Sequence, residues 1–287
     1  MAPTPITIRP DGQSWPTPPA GAPPESEMKA FLKDCEKGNE AEVLAYLKRW
    51  PEFPEVKLYN IEYTSLMQAA RYGHDNIVKI LLKAGCPVGT QDTDLNTALF
   101  AALTEGRLST VKLLLDEGAD LSVTPRFGNT SVATAVYSGN VELVNFLLER
   151  GEKADARDDY NGNALSQLQW CKNEGFNFAK LLVEHGADMN VVSMGGHTAL
   201  SQCVQQGRTS FVRHLLDLGV ELRGPFLPHN DEIKKMLEDE PYRRESARVA
   251  AIEAAAAEIR DRETAIHNAV NAGLPSSVKV RPFRLKM

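Results

Sequence analysis

What the 287-residue sequence has little of narrows its reading first. No apolar run approaches the ~20 residues that a membrane-spanning helix needs. The opening MAPTPITIRPDGQSWPTPPAG has no apolar core of the kind a secretory signal carries. Only four cysteines are present, Cys35, Cys86, Cys171 and Cys203. They show no close pairing and no CxxC spacing, so buried reduced thiols are expected rather than disulfides or a metal site. The chain also lacks GxxxxGKS/T, a GxGxxG after a strand, GxSxG and HExxH, and its histidines are scattered. These gaps leave no catalytic, cofactor or metal residue to nominate. The expectation is a non-enzymatic protein without a cofactor, intracellular and cytoplasmic.

What is present is a period. In Asn96–Leu121, NTALFAALTEGRLSTVKLLLDEGADL, Thr97 caps a short helix on which Leu99, Ala102 and Leu103 share a face, and Gly106 ends it. A second helix turns Val111, Leu114 and Leu115 inward and closes at Gly118, leaving Glu105 as an outward position. Neither helix is long enough to hold in water alone. The unit recurs: Thr64, Thr97, Thr130, Asn163 and Thr198 are spaced by 33, 33, 33 and 35 residues. The closing glycines Gly85, Gly118, Gly151, Gly186 and Gly219 follow at 33, 33, 35 and 33. A helix–turn–helix period near 33 residues predicts an all-α solenoid whose units bury their apolar sides on one another.

The five units over residues 60–223 resemble ankyrin repeats. The resemblance rests on the capping Thr, the small residue at Ala69, Ala102, Ala135 and Cys203, the mid-unit glycine, and the Gly-Ala-Asp ends at Gly118–Asp120 and Gly186–Asp188. The family's Thr-Pro-Leu-His opening is never complete. Ser65, Ala98, Ser131, Ala164 and Ala199 stand in place of the proline, and Met67, Phe100, Ala133, Ser166 and Ser201 in place of the histidine. The Thr–His side-chain bond is therefore lost, while the N-cap is expected to survive. The fourth unit is irregular: 12 residues separate Asn163 from Gly175 where the others have 9, so extra residues around Trp170–Glu174 lengthen the inner helix or its turn.

Outside the repeats, residues 1–25 hold eight of the 17 prolines and read as a flexible leader. Residues 26–59 read as an N-terminal helical cap and linker. Phe31, Leu32 and Cys35 form one stripe and Val43, Leu44 and Leu47 the next, with Trp50–Pro54 folded back as a lid. Residues 224–240 read as a half-repeat cap whose helix starts at Asn230 or Asp231 and stops at Pro241. Residues 241–274 follow as a long alanine-rich helix expected to pack on the last repeat. The tail 275–287 carries Lys279, Arg281, Arg284 and Lys286 and no acid, on a chain of net charge −6. Four charges are few for nucleic-acid or membrane binding, and neither is expected.

The resemblance implies a concave surface that binds another protein, and hence an interaction module or adaptor, expected to be monomeric on its own. Two variants of that role stay open. One is a dedicated inhibitor or immunity-type protein that blocks a partner enzyme; the other is a structural subunit held through the C-terminal helix and tails. The family's register puts Tyr72, Tyr137 and Trp170 on the groove side of the inner helices. It puts Tyr63, Phe127 and Tyr160 at or beside the finger tips, with Arg71, Gln202, Gln205 and Gln206 as a rim. Rigid aromatics give large contact area at low entropic cost, which suits binding hot spots.

Overall fold

The computed structural model describes residues 21–56, 63–173, 177–223, 226, 228, 230–241, 254 and 257. They contain no strand. The helices are α1 (Glu25–Lys37), α2 (Glu40–Arg49), α3 (Ser65–Tyr72), α4 (Asp75–Lys83), α5 (Ala98–Thr104), α6 (Leu108–Asp116), α7 (Ser131–Ser138) and α8 (Val141–Glu149). A 3-10 helix, η1 (Ala164–Trp170), precedes α9 (Phe178–Glu184), α10 (Ala199–Gln205) and α11 (Thr209–Asp217).

Each inner helix starts where the sequence supplies a cap. Thr64, Thr97, Thr130, Asn163 and Thr198 accept backbone N–H groups of Met67, Phe100, Ala133, Leu165 and Ser201 at 3.1–3.4 Å. At Thr198 the cap is reciprocal, because its own N–H donates to Ser201 Oγ at 2.9 Å. The cap therefore stands without the family's histidine. Two residues after each cap, Leu66, Leu99, Val132, Leu165 and Leu200 are at most 1% exposed. On the outer helices Leu81, Leu114, Leu147, Leu182 and Leu215 are fully buried. Each such side chain contributes about 1.5–3 kcal/mol when removed from water. Packing runs from α1 to α3, α5, α7, η1 and α10 in turn, with α2, α4 and α6 in a second row.

A ladder of side chains ties each mid-unit turn to the one before. Asn140 Nδ2 donates to Gly106 O at 2.8 Å and Asn173 Nδ2 to Gly139 O at 3.2 Å. Arg107 Nε donates to Arg71 O at 3.1 Å, and Arg208 donates to Cys171 O. His74 Nε2 lies 2.9 Å from Glu36 O; a carbonyl can only accept, so this nitrogen carries the proton. The backbone acceptors must come close, and Gly139 shows why glycine sits there. Its φ is +75°, and a Cβ would lie 2.8 Å from Asn173 N.

Of the two places expected for the extra residues of the fourth unit, the turn takes them: η1 spans seven residues, and the lengthening falls before α9. Within that turn Asn173 takes the contact made by Asn140 one unit earlier, while Gly175 lies outside the described residues. Other local expectations are corrected. Leu44 is 52% exposed and Tyr46 takes its place, its ring stacked on Phe31 at 3.8 Å, because position 46 and not 44 faces α1. Leu115 is half-buried, one step round α6 from the enclosed Leu114.

At the N-terminal end α1 begins at Glu25, inside the segment read as leader. Pro23 is buried, and Pro24 O accepts from Glu27 N and Met28 N. Trp50 Nε1 donates to Glu27 Oε2 at 2.8 Å. Residues 1–20, the expected long helix over 242–274 apart from 254 and 257, and the tail 275–287 lie outside the described residues. Residues 230–287 form a unit separate from 1–229. In it Asn230 Oδ1 accepts from Glu232 N at 2.7 Å and starts a helical stretch. Pro241 does not stop that stretch but is itself helical.

Candidate functional site

The residue seven places after each cap is Arg71, Thr104, Tyr137, Trp170 or Gln205, and none of these is buried. Thr104, Tyr137 and Trp170, with the fingers between units, line a cavity of about 420 Å³. The inner helices supply Phe100 and Thr104 from α5, Thr134 and Tyr137 from α7, and Gln167 and Trp170 from η1. Two fingers supply Asp94 and Asn96, and Pro125 with Arg126, Phe127 and Asn129.

The fingers are shaped by aspartate. Asp92 is buried, and its Oδ1 accepts from Asp94 N at 2.8 Å and Asn96 N at 2.9 Å. Asp158, two periods on, closes the third finger in the same way, accepting from Tyr160 N at 2.9 Å and Gly162 N at 2.7 Å. Pro125 replaces the aspartate in the finger between them. There Phe127 takes a φ of +76°, an unfavourable value for a bulky side chain, and stays 49% exposed. Neighbouring fingers are joined by Arg126 N to Asp94 O (2.7 Å), Asp159 N to Phe127 O (3.1 Å) and Met194 N to Tyr160 O (2.8 Å).

The cavity thus gathers Phe127, Tyr137 and Trp170, and Tyr160 joins them through its ring, 5.8 Å from that of Phe127. The remaining candidates lie elsewhere. Tyr72 falls eight places after its cap, not seven, and stacks on His74 at 6.3 Å. Arg71 holds the position equivalent to Tyr137; its guanidinium lies 4.8 Å from the Tyr63 ring and 5.9 Å from that of Tyr72. Gln202 is half-buried on α10, and Gln205 and Gln206 are exposed at its end; none of the three lines the cavity.

Charges frame this site. Glu105, expected as an outward position, is half-buried and bound twice. Arg71 Nε meets its Oε1 at 3.3 Å and Lys172 Nζ its Oε2 at 3.2 Å. Partial burial works against the charged carboxylate, but Lys172 and Arg71 outweigh it and hold Glu105 below the usual glutamate range. Lys172 Nζ also lies 5.1 Å from the Tyr137 ring, and the Arg126 guanidinium 5.5 Å from that of Phe127. Arg126 pairs with Asp94 through one contact of 3.4 Å.

The sequence reading missed Phe100, Asn129, Gln167 and both cations. Gln167 could have been found, because it shares its register position with Gln202, four places after the cap. Lys172 could not, because its place depends on the unusual turn after η1.

All four cysteines are free and buried; burial, with Glu55 nearby, pushes the Cys35 and Cys86 thiols far up. Among the described residues no group of three or more His, Cys, Asp or Glu is placed to hold a metal ion, and no helix is long and apolar enough to cross a membrane. The profile of the family described as ankyrin repeats matches in three copies, over residues 33–125, 66–158 and 132–224. No curated protein matches the chain.

Proposed function

Because the chain belongs to the ankyrin-repeat family, we propose that it is a non-enzymatic adaptor that binds another protein on the face built by its inner helices and fingers. Ankyrin repeats are generally protein–protein interaction modules and typically non-catalytic. What supports placing the contact at this face is one observation: Phe127 from a finger, Tyr137 from the third unit and Trp170 from the fourth meet around a single cavity of about 420 Å³. Trp170 is 53% exposed and Phe127 49%, an unusual exposure for large aromatics in a chain with only 7% of them. Partly exposed aromatics around a concavity are the residues that dominate binding energy when a partner covers them.

The test is affinity capture with the full chain as bait, the partners identified by mass spectrometry, with Trp170→Ala and Tyr137→Ala baits in parallel. The reading expects a protein captured by the wild type and lost from both variants. Equal capture by all three would move the interface off this face.

A further inference from the structure

We propose that the cavity receives one large uncharged apolar side chain of an extended partner segment, with a carboxylate of the same segment seated on Arg126. The inference rests on the groove reading above and specifies what the groove selects.

The charge of the guest follows from the cations already present. Arg126 lies 5.5 Å from the centre of the Phe127 ring and Lys172 5.1 Å from that of Tyr137. Two of the aromatic surfaces around the cavity are therefore already matched to positive charge from within the chain. A guest ammonium or guanidinium would find the Phe127 and Tyr137 rings already taken by cations of this chain. An uncharged side chain needs no free ring of that kind and gains from contact with Phe127, Tyr137 and Trp170.

The two resident cations differ in what they have to spare. Lys172 is bound to Glu105 Oε2 at 3.2 Å and to Thr104 O at 3.4 Å. Arg126 spends one N–H of its five on Asp94, at 3.4 Å, and the pair is 64% and 44% exposed. The remaining donors of its planar fork suit a carboxylate from outside.

The main chain of the guest is implied by the polar groups at the lining. Asn96 is committed to Asp92 at 3.0 Å, Thr104 Oγ1 to Phe100 O at 2.8 Å and Thr134 Oγ1 to Thr130 O at 3.0 Å. The side-chain amides of Asn129 and Gln167 make no bond to any described residue, and neither does the Trp170 indole N–H. A primary amide offers a donor and an acceptor together, which matches the N–H and C=O of an extended segment. A free apolar molecule would leave both amides unused.

The experiment is selection from a display library of random short peptides on the purified full chain. Peptides with a large apolar residue and an Asp or Glu within a few positions are expected. The Arg126→Glu protein should bind the best peptide roughly tenfold or more weakly, and should recover binding when the peptide's acid is changed to lysine. Circular dichroism confirms that each variant is folded. Peptides with Lys or Arg in place of the acid, peptides without an apolar anchor, or no enrichment would each overturn the proposal. Peptides that lack the acidic–apolar pair but are lost on Tyr137→Ala would overturn it while leaving the groove reading intact. The groove reading fails separately, if the captured protein ignores the groove variants.

Discussion

Lys172 Nζ stands 3.2 Å from Glu105 Oε2, although 67 residues separate the two in sequence. The turn of the fourth unit thus reaches past Tyr137 of the third to a carboxylate of the second. Arg71 of the first unit binds the same carboxylate from the other side, at 3.3 Å. One glutamate so couples units that otherwise touch only their immediate neighbours.

Glu105→Gln should lower the unfolding free energy read from urea titration at neutral pH by a modest amount, about 0.5–1 kcal/mol, because both ion pairs are partly exposed. The folded-state affinity of Glu105 for a proton is below that of the unfolded chain, so protonation favours unfolding. Its contribution is complete above the ordinary value of 4.5 and is lost as pH falls through the lowered folded-state value. The difference between Glu105→Gln and wild type should therefore vanish in acid. A difference that persists there would mean that Glu105 acts through packing.

Glu55 has the opposite sign. It is 2% exposed; burial pushes its carboxyl upward, and hydrogen bonds from groups such as Ser65 oppose this only in part. Its protonated form suits the fold, so that contribution is full below 4.5 and is lost as pH rises through the raised folded-state value. Glu55→Gln should raise the neutral-pH melting temperature and leave the acid one unchanged. Thermal melts at two pH values check this, and a loss at neutral pH would contradict it.

Ala102 is fully buried where α5 crosses its neighbours, so Ala102→Leu should overpack the stack by ~1–3 kcal/mol. Asp116→Ala on the exposed side of α6 should cost well under 1 kcal/mol. Equal shifts in denaturation midpoint would mean that the repeat register is misassigned.

Phe127 keeps an exposed ring at a φ of +76°. Glycine would relieve about 1–3 kcal/mol of strain, against roughly 0.5–1 kcal/mol of extra unfolded-state entropy. Phe127→Gly should thus be at least as stable as wild type by urea titration, while capturing less partner. A clear loss of stability would make Phe127 a structural residue of its finger.

The stack was readable because its cause is local. Thr97 caps, Leu99 and Leu114 face inward, Gly106 ends a helix, and the set repeats near 33 residues. The aromatics of the site were readable for the same reason, since Tyr137 and Trp170 share one register position. Tyr72 shows how narrow that reading is: one further step along α3 turned its ring onto His74. The cations were not readable. Lys172 reaches Glu105 only because η1 is a 3-10 helix followed by an enlarged turn, and the spacing of Asn163 and Gly175 fixes the extra residues without fixing their path.

The most direct measurement is the affinity of the captured partner for the wild type, Tyr137→Ala and Trp170→Ala, by titration calorimetry, with circular dichroism on each. The account predicts a loss of ~2 kcal/mol or more for each variant, about thirtyfold in Kd, with unchanged helical signal. Wild-type affinity in both folded variants would contradict it and place the partner elsewhere on the chain.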